Sequence, residues 1–393
     1  MSRHRFAIVV FMVAIALAQS LIEPAYLGYL VAFALLSLHK VLNPSNLQYR
    51  IRPPSMWWLP FCIWLVFMGI ITYLNEAQLR DVLRDLGAIA AFFVGRFVFL
   101  GHGDPVKQNL KALSEVGLLI VVATLVAASL AYIAGASAYQ WRGEFIPPSH
   151  SWLPYLMVVN YVLAQTEKSH AAVYVRRFAF CVVGTLASLS RTDLILVALF
   201  LFVLLVRHLP QLLANRLVRR RILYGLCIVV LLLPLFISLD VVQNRIASGV
   251  GADDSSVGWR LMENASFLDM MLGAGPVEWL AGFGFGARVP LPSGVLDFND
   301  NTSIPHLHNS FLTIIVKFGL VGIVMLLIYL ARHWSLSHRS IGRELEILHA
   351  AGRWIVLFVL LKAVTLQGLT EWSHVLFLGL GCAFMVRVER NHK

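Results

Sequence analysis

The amino-acid sequence predicts an all-α polytopic membrane protein, and three observations lead to that prediction. Hydrophobic residues make up 59% of the 393 positions and charged residues only 13%, against about 25% charged residues in a soluble domain. Apolar runs long enough to cross a bilayer as helices recur along the whole chain. The basic residues concentrate in short segments between these runs, as is typical of loops that orient membrane helices.

The apolar runs predict about twelve transmembrane helices of uneven length. The candidate spans are roughly 6–20, 24–38, 57–74, 82–100, 113–134, 151–165, 175–188, 192–206, 223–239, 309–331, 354–370 and 373–386. The shorter ones are typical of tilted helices or of helices that stop below a surface cavity. The chain divides into spans one to nine at 1–239, a loop domain at 240–308, and spans ten to twelve with a short cytoplasmic tail at 309–393.

The distribution of charge orients the predicted helices. With the N-terminus in the cytoplasm, most of the 32 Lys and Arg fall in cytoplasmic segments, and most of the 21 Asp and Glu fall on the other side. This bias places both termini inside. The loop domain then lies outside the cytoplasm, with the connections around 75–81, 135–150, 189–192 and 371–373. Because short loops carry the net charge of +11, orientation explains it and no nucleic-acid partner is expected.

The loop domain is too long for a plain connector. It contains an amphipathic pattern at 257–272, which predicts a helix with one apolar face formed by Leu261, Ala265, Leu268 and Leu272. We therefore expect a small helical cap that lies on the membrane.

Three residues of the polar segments are candidates for chemistry. Arg191 separates two apolar runs, and an arginine there is costly unless it faces a polar cavity or a partner. It is either a hairpin-tip residue paired with Asp193 or an anion-binding residue at the mouth of an outer cavity. Arg260 is either a solvated loop residue or a second anion ligand. His308, at the start of a span, either satisfies a helix end or takes part in chemistry.

These residues belong to short motifs whose order along the chain is distinctive. The motifs are Ser190-Arg191, then Gly258-Trp259-Arg260 with the turn Gly282-Phe283-Gly284, then His308-Asn309 followed by Gly319 and Gly322. This pattern resembles the bacterial O-antigen ligase and polymerase superfamily. The resemblance covers about 175–330, and the N-terminal half is similar only in hydropathy and topology.

The resemblance implies a GT-C-like fold and a glycan transfer at the periplasmic face of the inner membrane. The donor is a glycan on undecaprenyl diphosphate, and the acceptor is a sugar hydroxyl. Arg191 and Arg260 would hold the diphosphate and stabilise the charge that grows on the leaving group. His308 would accept the hydroxyl proton, or would only orient a substrate. The family resemblance also implies transfer without a metal or another cofactor.

Four further residues are assigned to binding of the diphosphate or the acceptor. Arg80 and Arg84 share one helix face, and they either bind phosphate or pair locally with Asp81 and Asp85. The other two are Asn309, which follows the histidine, and Glu371. Glu371 either orients the acceptor or pairs with an arginine.

Other polar residues receive structural interpretations. Lys317 and Lys362 lie within spans and are expected to have structural partners there. Gly319 and Gly322 are expected to permit close helix packing. The spacing of Asp297, Asn299 and Asp300, near His306, fits no calcium loop, so they are interpreted as turn residues and no metal is expected.

The leading hypothesis is an O-antigen ligase that transfers the glycan to a lipid A–core sugar. The alternative within the superfamily is a polymerase, whose acceptor is another lipid-linked glycan. A less favoured alternative is a polysaccharide transporter or flippase, for which a pathway through Lys317 and Lys362 is the best argument. All three place the chain among membrane lipids.

Overall fold

The computed structural model of the protein describes residues 58–99, 104–137, 140–214, 255–291, 303–337, 343–365, 368–369 and 371–385, together with Met12 and Val31. The predicted spans at 6–20 and 24–38, apart from those two residues, and the span at 223–239 lie outside the described residues. The same holds for 240–254 and 292–302 of the loop domain, and thus for Asp297, Asn299 and Asp300.

The described part of the chain is mostly helical. Its helices are α1 (Trp58–Leu74), α2 (Leu79–Phe99), α3 (Asp104–Ile133), α4 (Leu153–Thr166), α5 (Ala171–Ala187), α6 (Arg191–Ala214), α7 (Ser255–Leu272), α8 (Pro276–Ala281), α9 (Ser310–Ser337), α10 (Arg343–Thr365) and α11 (Trp372–Met385). Short turns of π and 3₁₀ helix occupy Trp141–Phe145, Pro148–Trp152 and Lys168–His170. A two-residue strand β1 (Val289–Pro290) pairs antiparallel with β2 (Ser303–Ile304).

Three helices of the described part are long and apolar enough to cross a membrane: Lys107–Ile133, Ser310–Ser335 and Glu346–Val364. Shorter apolar helices lie at Ile63–Leu74 and Trp372–Met385. The structure is thus that of an all-α membrane protein, as the sequence predicts.

Some predicted boundaries are wrong. The helix predicted at 113–134 begins at Asp104, and the one predicted at 354–370 runs from Arg343 to Thr365. Hydropathy detects the apolar part of a helix, whereas the backbone hydrogen bonds continue into its polar ends. Residues 368–369 form a turn instead of a last helical turn, and a Cβ at Gly368 would lie 2.5 Å from the Ala363 nitrogen.

The core lies among α4, α10 and α11. Tyr155 stacks on Phe377 with ring centroids 4.4 Å apart, and Trp152 meets Phe377 edge to face at 5.5 Å. Phe358 of α10 completes this aromatic group. Stacked and T-shaped pairs add to the stabilisation that burial of the rings provides.

Several predicted connections meet at one end of the bundle, called here the site end and formed by residues 75–81, 187–193, 303–310 and 371–374. The Asn75 side-chain nitrogen donates to the Phe283 carbonyl at 2.8 Å, so the turn before α2 contacts the loop domain. The Trp372 indole donates to the Arg84 carbonyl at 3.1 Å. The Leu369 amide donates to the Ser310 hydroxyl at 3.0 Å.

Helix α7 confirms the helix predicted at 257–272, and its orientation is informative. Phe267 and Met271 are buried in a small core with Val289 and Leu307. The predicted apolar face is instead exposed at Leu261, Leu268 and Leu272. Its buried side also carries two polar residues, Glu263 and Ser266.

Candidate functional site

His308 lies in the segment between β2 and α9, against the buried side of α7. Its Nδ1 lies 2.8 Å from Oε1 of Glu263, and its backbone N–H donates to Oε2 of the same carboxylate at 2.8 Å. The Trp259 indole donates to Glu263 Oε1 at 2.6 Å. The His308 side chain is 36% exposed and that of Glu263 only 3%. The site thus presents an accessible imidazole on a buried carboxylate.

Glu263 is a residue that the sequence reasoning missed. The available signal was its position four residues after Trp259, which places both side chains on one face of a helix. The amphipathic pattern marks the leucine face of the predicted helix, so the face that carries Trp259 and Glu263 was not predicted to belong to the site.

Arg260 follows Trp259 on α7 and is half-buried. Its Nε atom is buried, and no hydrogen-bond partner for this atom is found among the described residues. Buried donors are almost always paired, so such an atom suits an anionic ligand.

The start of α9 fixes the position of His308. The Asn309 side-chain oxygen accepts from the Phe311 amide at 3.0 Å, which caps the helix. The Thr313 hydroxyl accepts from the Leu307 amide at 2.9 Å. Asn309, predicted to bind substrate, therefore has a capping role in this structure.

Gly319 interrupts α9, with φ of 64° and ψ of −171°. The glycine turn of the loop domain docks at this break. The Phe283 amide donates to the Val316 carbonyl at 2.7 Å, and the Gly284 amide donates to the Lys317 carbonyl at 2.9 Å. These bonds satisfy carbonyls near the break. The expected close packing at Gly319 is thus with α8 and the turn, since a Cβ would lie 2.5 Å from the Ala281 nitrogen.

A group of charged side chains, called here the α2 ion cluster, joins α2, α9 and the loop domain. Its members are Asp81, Arg84, Asp85, Arg288, His306 and Lys317. Lys317 Nζ lies 2.5 Å from Asp85 Oδ1, and the Gly286 amide donates to Asp85 Oδ2 at 2.7 Å. Asp81 binds Arg84 at 2.6 Å and Arg288 at 2.9 Å.

The cluster shows which partners Arg84 and Lys317 have in this structure. Arg84 pairs locally with Asp81, whereas Asp85 pairs with Lys317, which thereby has the structural partner expected for it. Arg80 is exposed on the first turn of α2.

Burial lowers the pKa of His306 well below its usual value, and nearby Lys317, Arg84 and Arg288 lower it further. With His306 neutral, the cluster holds three cations and two carboxylates, and this excess positive charge favours an anion nearby.

A second polar group, called here the α6 ion cluster, comprises His150, Asp193, Lys362, Glu371 and His374. Lys362 Nζ lies 2.5 Å from Asp193 Oδ1 and donates to the Ser151 carbonyl at 3.2 Å. Lys362 thus also has a structural partner, as expected. Arg191 is the first residue of α6, two positions before Asp193, and is half-buried.

Glu371 pairs with a histidine and a serine. Its carboxylate lies 3.1 Å from His374 Nε2 and accepts from the Ser373 hydroxyl at 2.6 Å. Burial acts to raise the pKa of Glu371, but the charge and hydrogen bond of His374 and the Ser373 hydroxyl outweigh it and lower the pKa to about 2. The Glu371 side chain as a whole is 41% exposed, so part of it remains accessible at the site end.

Residues 178–327 match a sequence model of the family described as O-antigen ligase. This match supports the resemblance of the segment to the O-antigen ligase and polymerase superfamily. No curated protein sequence matches the chain.

The matched segment runs from within α5 to within α9. It includes Arg191, Arg260, Glu263 and His308, and it excludes Arg80, Arg84 and Glu371. The structure joins His308 to Glu263 of α7, the helix that also carries Arg260, whereas Arg191 stands on a different element, α6. Among the described residues, no group of three or more His, Cys, Asp or Glu side chains is placed to hold a metal ion.

Proposed function

We propose that this chain is a glycosyltransferase that moves a glycan from undecaprenyl diphosphate to a hydroxyl of a lipid A–core sugar. The family match supports O-antigen ligase or polymerase activity in general. The observation that carries the proposal is the accessible His308 imidazole on the buried Glu263 carboxylate of α7, the helix that also carries Arg260 with its buried Nε. An acceptor hydroxyl needs a base, and a lipid diphosphate needs cations.

The reaction requires one displacement at the anomeric carbon of the donor sugar. The acceptor oxygen forms a new bond to this carbon as the bond to the diphosphate oxygen breaks. The electron pair leaves with undecaprenyl diphosphate, and the hydroxyl proton passes to His308. Arg191 and Arg260 bind the diphosphate and stabilise its growing charge. No step needs a metal or another cofactor.

Four residues are proposed as further substrate contacts. They are Arg80, Arg84, Asn309 and Glu371. Arg80 is the more accessible of the two arginines, because it is exposed, whereas Arg84 is half-buried and bound to Asp81. Asn309 would donate a hydrogen bond to substrate through its side-chain NH2 group, while its side-chain oxygen caps α9. Glu371 would accept a hydrogen bond from an acceptor hydroxyl.

The proposed topology follows from the charge bias and the site end. The chain has about twelve spans in a GT-C-like arrangement within the inner membrane, with both termini in the cytoplasm. Spans one to nine occupy 1–239, a periplasmic domain occupies 240–308, and the remaining spans with a cytoplasmic tail occupy 309–393. The exposed leucines of α7 support a cap that lies on the membrane surface.

The alternative is a polymerase of the same superfamily, in which the acceptor sugar is itself carried on a lipid. The same base and arginines would serve it, because only the carrier of the hydroxyl differs. The transporter alternative is less well supported, since Lys317 and Lys362 are buried in ion pairs with Asp85 and Asp193.

Purified protein, lipid-linked glycan and lipid A–core acceptor test the proposal directly. We expect glycan on the core, the same rate with EDTA, and a loss of transfer in His308→Ala, Arg191→Ala and Arg260→Ala. Growth of the lipid-linked chain without core acceptor would instead identify a polymerase. Absence of both products, or full activity of all three variants, would contradict the proposed function or its site.

In cells, deletion of the gene distinguishes a ligase from a polymerase. Loss of all attached polymer, with polymer accumulating on the carrier, indicates a ligase. A core that carries a single repeat unit indicates a polymerase.

A further inference from the structure

We propose that Glu263 is the positioning residue of His308 and fixes the ring nitrogen that receives the acceptor proton. This proposal rests on the proposed glycan transfer and deepens it. The match to the superfamily includes Glu263 only as one position among 178–327. Its role is inferred from the contacts of its carboxylate.

Both oxygens of Glu263 are used. Oε1 accepts from the Trp259 indole at 2.6 Å and contacts His308 Nδ1 at 2.8 Å. Oε2 accepts from the His308 backbone N–H at 2.8 Å. A buried carboxylate is costly unless hydrogen bonds satisfy it. Three donors from two elements do so here, and two of them come from the residue that the carboxylate would orient.

The contact at Nδ1 determines the tautomer of His308. A carboxylate can only accept a hydrogen bond, so Nδ1 carries a proton, and in the neutral ring Nε2 therefore keeps its lone pair. Glu263 is 3% exposed and the His308 side chain is 36% exposed, so the accessible part of the ring lies away from the carboxylate. The proton acceptor of the reaction is then Nε2.

The same carboxylate compensates the charge that forms during transfer. As the acceptor O–H bond breaks and an N–H bond forms at Nε2, the ring becomes an imidazolium. A carboxylate at Nδ1 stabilises that cation without taking the proton itself. Trp259 holds the carboxylate from one helical turn earlier on α7, so the position of the carboxylate is set by a helix.

Kinetics of Glu263→Gln test the role. We expect kcat to fall on the order of 100-fold, with KM changed by less than about 2-fold, because a positioning residue acts on the transition state. Asp269→Asn is the matched control, since it removes a carboxylate from the exposed side of the same helix, and it should keep the wild-type rate. The double variant Glu263→Gln/His308→Ala should be no slower than His308→Ala alone, because the two residues act as a unit.

The outcomes separate this proposal from the proposed function. If His308→Ala is inactive and Glu263→Gln transfers glycan at the wild-type rate, the role of Glu263 is overturned and the function stands. If wild-type protein transfers no glycan to any acceptor, the function itself is overturned.

A spectroscopic measurement excludes a merely structural role for Glu263. The nitrogen resonances of histidine-labelled wild-type protein, assigned to His308 by their loss in His308→Ala among the 13 histidines, should show a protonated Nδ1 and an unprotonated Nε2. Glu263→Gln should shift the population toward the other tautomer. A protonated Nε2 in the neutral wild-type ring would overturn the proposal, whether or not the variant folds.

Discussion

Replacing Gly319 with alanine should detach the glycine turn from α9. The combination of φ 64° and ψ −171° is essentially restricted to glycine and costs an alanine about 1–3 kcal/mol. Its Cβ would lie 2.5 Å from the Ala281 nitrogen, so the backbone of α8 must move. That movement weakens the Phe283–Val316 and Gly284–Lys317 hydrogen bonds, each worth about 0.5–1.5 kcal/mol net. The sum predicts a loss of up to about 2–6 kcal/mol of stability.

Thermal unfolding in detergent and amide hydrogen exchange measure this effect. We expect a lower melting temperature and faster exchange at Phe283 and Gly284. The control is Gly69→Ala in α1, where an added Cβ meets nothing within 4 Å. There the better helix propensity of alanine should leave stability unchanged or raise it by up to about 1 kcal/mol. Wild-type stability and wild-type protection in Gly319→Ala would refute the reasoning, because α9 could then run on as an unbroken helix.

Three further predictions concern the surroundings of the site. Lys317→Met should cost about 3–5 kcal/mol, because it leaves the buried Asp85 charge uncompensated, and adding Asp85→Asn should recover part of the loss in the same unfolding assay. The folded state lowers the pKa of His306 below its value of about 6.5 in the unfolded chain. The folded protein therefore has its full stability, as far as His306 is concerned, only above about pH 6.5, where the ring is neutral in both states. Stability should therefore fall as the pH drops below that value, by up to about 1.4 kcal/mol per unit, and His306→Gln should weaken this dependence in melting curves from pH 8 to 5. Phe267→Ala, at a side chain 6% exposed, should cost about 3–5 kcal/mol, whereas Leu268→Ala, at 54% exposure, should change stability by less than about 0.5 kcal/mol.

Hydropathy was sufficient to predict the helical class and the positions of the main spans, because burial in lipid requires continuous apolar runs. It also predicted that Lys317 and Lys362 need structural partners. It could not identify those partners. Asp85 and Asp193 meet the lysines only because α2 packs near α9 and α6 packs near α10, and such pairings are not encoded in local sequence.

The candidate site could be predicted only in part, because contacts between separate elements are not encoded in local sequence. His308 and Arg260 stand out by their motifs, and the structure joins His308 to α7, the helix that carries Arg260. Glu263 does not stand out, since an acidic residue in an amphipathic helix is ordinarily assigned to the solvated face. In α7, however, Glu263 is buried against His308, and Leu268 is exposed.

The spacing between His308 and Gly319 has a structural cause. The α9 segment between them is fixed at its start by the Asn309 cap and at its end by the glycine turn. Near that end, Lys317 pairs with Asp85, which also binds the Gly286 amide. One carboxylate of α2 therefore secures both α9 and the loop that docks on it. A longer or shorter segment would move His308 away from Glu263 or move the break away from the turn, so the spacing of the motif is a requirement for holding the imidazole in place.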